Sequence, residues 1–85
     1  MGRVEFFDFE WDEGNLEEIY QHRVSPDEFE QCFYNPTLWH KRKPGTAHRQ
    51  ERWYRIGRTD GGRTLFLVYQ RKPDGVIRPI TAYEK

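Results

Sequence analysis

The sequence predicts a single α+β domain: one N-terminal strand, two helices, then an antiparallel sheet of three or four strands. Three observations predict it. Two segments between residues 13 and 34 carry apolar residues at helical spacing. From residue 52 onward, aromatic and β-branched runs alternate with Asp-Gly turns. The length of 85 residues suits one modest core and no second domain, so residues 1–85 form one unit.

Taken in order, "VEFFDFEW" (Val4–Trp11) sets Phe7, Phe9 and Trp11 on one face and Asp8 and Glu10 on the other, which predicts a strand. "DEGNLEEIYQH" places Leu16, Ile19 and Tyr20 at helical spacing, with Gly14 weakening the first turn. "SPDEFEQCF" opens a second helix: Ser25 caps it, Pro26 suits the first helical position and Glu28 completes a capping box. Phe29, Cys32 and Phe33 form its apolar stripe, and Pro36 stops it by biasing Asn35 away from helix. Residues 37–50 are polar, contain Pro44 and Gly45, and read as a short strand or a loop. "RWYRIGR", "RTLFLVYQR" and "VIRPITAY", separated by "TDGG" and "KPDG", predict an antiparallel meander. Leu65 to Val68 are apolar on both faces, which favours the middle of the sheet. Pro79 cannot donate to a ladder and favours an edge for the last strand.

Charge is distributed unevenly. Residues 1–34 hold ten carboxylates against Arg3 and Arg23, whereas residues 35–85 hold twelve Lys and Arg against four acids; the net charge of zero is a cancellation. Either the acidic part folds against the basic part, or a basic surface is kept for a polyanion and an acidic one for a basic partner. The stretch His40–Arg58 alone holds seven of the fourteen cations, interleaved with Trp53 and Tyr54 and preceded by Trp39. Cations contact phosphates and flat side chains stack on bases, so this composition suits single-stranded RNA. A solvated loop with alternating exposed strand positions gives the same composition.

Several classes are excluded or disfavoured. No apolar run is long enough to span a membrane, and no signal-peptide pattern follows Met1, so a cytoplasmic protein is expected. Cys32, the single cysteine, lies in an apolar helical pattern and reads as a buried thiol, not a nucleophile. His22, His40 and His48 lack metal-site spacing, so no metal and no cofactor are expected. An imidazole titrates near neutrality, so each is a candidate acid or base. For His40 and His48 a surface position competes with that role. His22 closes the first helix, where a cation suits the helix dipole, and that structural role competes with a catalytic one.

"FEWDEGNLEEIYQHRVSPDEFEQCF" followed by "ERWYRIGRTDGGRTLFLVYQRKPDGVIRPITA" resembles the BrnT-like toxins of bacterial type II toxin–antitoxin systems. Phe9, Glu10, Trp11, Asp12, Asn15, His22, Val24, Ser25, Glu51, Arg52, Gly57, Arg78, Ile80, Thr81 and Ala82 fall on that family's pattern. The resemblance implies a RelE-like ribonuclease fold, with two helices on one face of the sheet. It implies a cognate antitoxin that neutralises the toxin, with a dimer or a toxin–antitoxin hetero-oligomer as the assembly. It also implies metal-independent RNA cleavage, by attack of a ribose 2′-OH on the adjacent phosphate. Carried residue by residue, the catalytic candidates are His22, Arg52 and Arg78. Lys41, Arg42, Lys43, Arg55 and Arg58, with Trp53 and Tyr83, are the RNA-binding candidates.

Two positions depart from the pattern. Gln21 stands where a Lys commonly precedes the His, and Tyr83 where an Arg commonly follows Ala82; each removes a cation from a chemistry that uses cations. The sequence also stops at Lys85, where relatives often continue into a basic helix. An alternative function therefore stands beside the enzyme: a catalytically silent module of the same fold that binds protein or nucleic acid. Finally, strand alternation puts Trp53 and Arg55 on one face and Tyr54 and Ile56 on the other. The helices are expected to cover Tyr54 and Ile56 and to leave Arg55 exposed.

Overall fold

A computed structural model describes residues 6–45 and 51–85, so Val4 and Glu5 of the expected first strand and His48 lie outside the described residues. Its elements are α1 (Glu13–Gln21), α2 (Pro26–Tyr34), β1 (Trp39–Lys43), β2 (Arg52–Arg58), β3 (Thr64–Arg71) and β4 (Ile77–Glu84). The fold is α+β: two helices and a four-stranded antiparallel sheet in the order β1-β2-β3-β4.

Both helices begin where their capping side chains dictate. The Asp12 carboxylate accepts the Asn15 N–H at 2.9 Å, while the Asn15 side-chain oxygen accepts the Asp12 N–H at 2.8 Å. This reciprocal pair satisfies two of the donors that a helix N-terminus leaves open, and it offsets Gly14. Ser25 and Glu28 repeat the device on α2, with the Ser25 hydroxyl and the Glu28 carboxylate each accepting the other's N–H at 3.1 Å. Between the helices, Arg23 adopts φ 59°, a left-handed conformation uncommon for a residue with a Cβ. That single residue reverses the chain after His22, the C-cap of α1.

β3 is internal and β4 is an edge, as Leu65–Val68 and Pro79 predicted. The core joins Ile19 of α1 and Phe29, Cys32 and Phe33 of α2 to Leu65, Leu67 and Tyr69 of β3 and Ile77 and Ala82 of β4. Phe29 and Phe33 stack at 5.7 Å, and Tyr69 meets Phe33 edge-on at 4.9 Å. Burial of these large apolar side chains dominates the stability of so short a chain.

The strand expected over Val4–Trp11 is not formed among the described residues. The segment is extended but pairs at one parallel bridge only, Phe9 with Ile77. There the Glu10 N–H donates to the Ile77 carbonyl, and the Ile77 N–H to the Asp8 carbonyl, each at 2.8 Å. The aromatic alternation is satisfied by packing instead: Phe7, Phe9 and Trp11 lean on Phe29 and Phe33 with ring centres 5.2 to 5.5 Å apart in the closest pairs. Alternation reports that one face is buried; it does not report a ladder partner.

The expected assignment of sheet faces is reversed. α2 lies over the face that carries Arg55, Gly57, Leu65 and Leu67. The Arg55 guanidinium stands 4.2 Å above the Phe33 ring, and a Cβ on Gly57 would come within 2.9 Å of the Cys32 Cβ. Gly57 is the physical reason: α2 approaches β2 so closely there that only hydrogen fits. Tyr54 and Ile56 therefore belong to the opposite face, which α2 leaves uncovered. α1 packs along β4, turning Ile19 into the core while Glu18 reaches Thr81.

Candidate nucleic-acid interface and catalytic residues

Strand register builds the uncovered face. Directly paired residues in an antiparallel ladder project to the same side. The pairs Trp39–Ile56, Lys41–Tyr54 and Lys43–Arg52 join β1 to β2 on that side. Tyr54–Val68, Ile56–Phe66 and Arg58–Thr64 extend it to β3, and Phe66–Tyr83 and Val68–Thr81 extend it to β4. An aromatic row results: Tyr54 lies 5.8 Å from Phe66, Phe66 stacks 5.3 Å from Tyr83, and Tyr83 lies 6.0 Å from the His22 imidazole. Lys41, Lys43 and Arg52 flank the Tyr54 end. Among the described residues these three and Arg58 form no ion pair. Positive charge beside stacked rings is the composition that grips a single strand through its phosphates and bases.

Phe66 and Ile56 were not singled out from the sequence, and Trp39 and Tyr54, noted there as flat side chains beside the cations, were not among the binding candidates. The signal that could have found them is Gly57. A glycine within a strand marks the face where another backbone approaches, so its own parity, shared with Arg55 and Trp53, is the covered one.

Of the sequence-predicted binding residues, Lys41, Lys43, Arg58 and Tyr83 belong to the uncovered face. Arg55 and Trp53 do not. Arg55 Nη1 donates to the Thr37 hydroxyl at 2.8 Å and its Nε to the Tyr69 hydroxyl at 3.4 Å. Trp53 is half-buried between His40, Tyr69 and the Arg71 guanidinium. Arg42 points to the Trp53 side and its Nε sits 3.4 Å from Glu51.

The three catalytic candidates are not brought into contact. Arg52 starts β2, two strands away from β4. Arg78 and His22 lie at opposite ends of α1. Arg78 Nη2 is 2.7 Å from the Asp12 carboxylate and Nη1 3.0 Å from Glu10, both just before the helix. His22 closes the helix, its Nε2 3.2 Å from Glu18. A helix of nine residues is about 13 Å long, so the two sites stand roughly that far apart. Glu18, Arg78, Ile80 and Thr81 are among the residues that line a shallow cleft between α1 and β4.

Electrostatics follow these contacts. The Asn15 N–H and then Arg78 hold the Asp12 carboxyl below the usual carboxylate range. Lys72, at 2.6 Å, and then Arg78 do the same for Glu10. Asp12 and Glu10 in turn raise the Arg78 guanidinium above its ordinary value. Burial pushes the Cys32 thiol up to about 11, so it remains protonated at neutral pH and is no nucleophile. Among the described residues, no three His, Cys, Asp or Glu side chains gather as a metal site. No helix among them is long and apolar enough to cross a membrane.

Asn15 has a structural task. It is buried, and its amide donates at 3.0 Å to the carbonyls of both Glu10 and Pro79, tying α1, the N-terminal segment and β4 together. A motif position at Asn15 is thus accounted for by polar satisfaction inside the fold.

Residues 11–85 match the model of a family described as ribonuclease toxin, BrnT, of type II toxin-antitoxin system. No curated protein and no solved structure matches the chain. The match covers most of the chain and takes in α1, α2 and all four strands. Membership implies, in general, an antitoxin partner and an RNA target. The chain belongs to the BrnT family of ribonuclease toxins of type II toxin–antitoxin systems.

Proposed function

We propose that this chain is a metal-independent endoribonuclease toxin of the bacterial cytoplasm, held inactive by a cognate antitoxin in a hetero-oligomer. Its architecture is read as RelE-like, with the helices on one face and RNA on the other. The observation that carries this reading is the uncovered face, where Lys41, Lys43, Arg52 and Arg58 lack ion-pair partners among the described residues beside Tyr54, Phe66 and Tyr83. Phosphates meet the cations and bases stack on the rings, with His22 at the Tyr83 end of the row.

In the reaction, His22 accepts the proton of a ribose 2′-OH as that oxygen attacks the adjacent phosphorus. The bond to the 5′ oxygen breaks, this oxygen takes a proton from water, and the imidazolium returns its own proton to the hydroxide left behind. Arg52 and Arg78 stand apart from His22, so a role for either in offsetting the extra negative charge of the phosphorane requires it to approach the phosphate when RNA binds.

Expression in growing bacteria should arrest growth and deplete messenger RNA. His22→Asn should cut the cleavage rate by roughly two orders of magnitude without loss of fold, the scale of a lost acid/base group. Arg78→Ala should relieve the arrest. Normal growth with intact RNA in cells making the wild-type chain would sink the reading.

One observation favours a second reading, the silent binding module. Arg78 spans Glu10 and Asp12, so its charge is already answered inside the fold. If RNA binds the purified chain with a steep dependence on salt and no cleavage follows, the module is the better description.

A further inference from the structure

We propose that Glu18 is a positioning residue for His22: it holds the neutral imidazole with its proton on Nε2 and leaves Nδ1 as the atom that takes a proton. The catalytic consequence rests on His22 acting as the base in RNA cleavage; the positioning itself does not.

Glu18 and His22 are four residues apart on one face of α1, and Oε2 of Glu18 lies 3.2 Å from Nε2 of His22. An exposed pair of this spacing is weak when both side chains are free to move. Here the carboxylate is held from a second direction, because the Thr81 hydroxyl of β4 donates to the same Oε2 at 2.9 Å. The backbone next to the other partner is also held: the Arg63 guanidinium donates to the carbonyl of Arg23 at 2.9 Å, immediately after His22, where the chain takes its left-handed turn. The Tyr83 ring, two residues beyond Thr81, stands 6.0 Å from the imidazole. The ring is thus set between an anchored carboxylate and the aromatic row of the uncovered face.

A carboxylate can only accept a hydrogen bond. A neutral imidazole bonded to it through Nε2 must carry its proton there, and its lone pair is then on Nδ1. The same carboxylate faces the positive charge that develops when Nδ1 takes the 2′-OH proton. Thr81 sits in the segment "RPITAY", and nothing in the linear chain joins it to a glutamate 63 positions earlier.

The test is the tautomer, read by nitrogen-15 NMR of the histidine-labelled full chain at alkaline pH, with the His22 signals assigned from His22→Asn. The wild type should show His22 almost wholly in the Nε2–H form. Glu18→Ala should return it toward the mixture of a free imidazole, and Thr81→Val should do so in part. In the cleavage assay Glu18→Ala should lower kcat roughly ten-fold with KM unchanged, a fraction of the hundred-fold or more expected on removing the base itself. A wild-type tautomer mixture equal to that of Glu18→Ala would overturn the proposal. So would equal losses of melting temperature in Glu18→Ala and Thr81→Val with no tautomer change, which would make the contact a mere staple between α1 and β4. A held tautomer that Glu18→Ala releases, in a chain that cleaves no RNA, would uphold the positioning and defeat the ribonuclease reading instead.

Discussion

Arg63 reaches the carboxylates of Glu28 at 2.8 Å and Glu84 at 3.1 Å; Arg78 reaches Asp12 and Glu10; Lys72 reaches Glu10. At the other side of the sheet, Lys41, Lys43, Arg52 and Arg58 reach no carboxylate among the described residues. The residue types are the same, and both groups lie in the basic part of the chain. What separates them is which acids the topology brings near. The N-terminal segment and α1 run beside β4, so Glu10 and Asp12 meet Lys72 and Arg78. α2 brings Glu28 to the start of β3. Among the described residues none of these acids forms an ion pair with a cation of β1. The acids are thus matched internally around β4, whereas Lys41, Lys43, Arg52 and Arg58 on the β1–β2 side stay unpaired among the described residues, and it is this charge that the proposed RNA interface uses.

This comparison predicts that one group of cations governs RNA affinity and the other governs stability. The largest expected effect is on affinity. Lys41→Glu, Lys43→Glu and Arg52→Glu together remove at least three phosphate contacts, each contributing about 0.7 to the salt slope of single-strand binding. The slope should fall by about 2, and affinity at 0.1 M salt by roughly a hundred-fold or more, with the thermal transition unmoved. A large loss of stability in this triple variant would break the comparison, because it would show those cations to be structural. Filter binding across a salt series, alongside a melting curve, reads both.

Arg63→Ala should do the reverse. It removes the guanidinium donor from the Arg23 carbonyl and from a half-buried Glu28 carboxylate that keeps only Ser25, at a cost of about 1–3 kcal/mol by chemical denaturation. The salt slope of RNA binding should not change. Acid sharpens the same point. Burial disfavours the ionised form of Glu28, but the hydrogen bonds from Arg63 and Ser25 outweigh it and hold its pKa below the ordinary 4.5. A depressed carboxylate contributes stability that is fully present above its unfolded value and is lost as pH falls through its folded one. Wild-type stability should therefore decline as pH drops below about 4.5, and Arg63→Ala should flatten that decline. An equally steep acid loss in the variant would mean that Arg63 does not set the Glu28 titration.

The smallest effect tests whether the unpaired cations act singly. Lys43→Ala should reduce the salt slope by about 0.7 and affinity at 0.1 M salt by roughly five-fold, across RNA sequences alike. A change confined to one sequence would assign Lys43 to base reading and remove it from the phosphate contacts.

Much of this was legible in the linear chain. The caps at Ser25 and Glu28, the break at Pro36 and the Asp-Gly turns fixed α2 and the β2–β3–β4 meander. These signals act within three or four residues, where side chain and backbone settle the conformation between themselves. The motif order carried the family assignment for the same reason, since it is a property of the linear chain. Three things were decided only by tertiary structure. β2 has a mixed set on each face, Trp53 and Arg55 against Tyr54 and Ile56, so alternation alone does not say which set meets the helices; the contact of Gly57 with Cys32 decides it. The strand-like alternation of Phe7, Phe9 and Trp11 was met by aromatic packing on α2, and the ladder shrank to one bridge at Ile77. The separation of matched from unmatched cations, and the bond from Thr81 to Glu18, rest on residues more than twenty positions apart. Sequence fixes which groups a chain has to pair. Only the path of the backbone through the sheet brings particular partners within hydrogen-bonding distance and leaves Lys41, Lys43, Arg52 and Arg58 without one among the described residues.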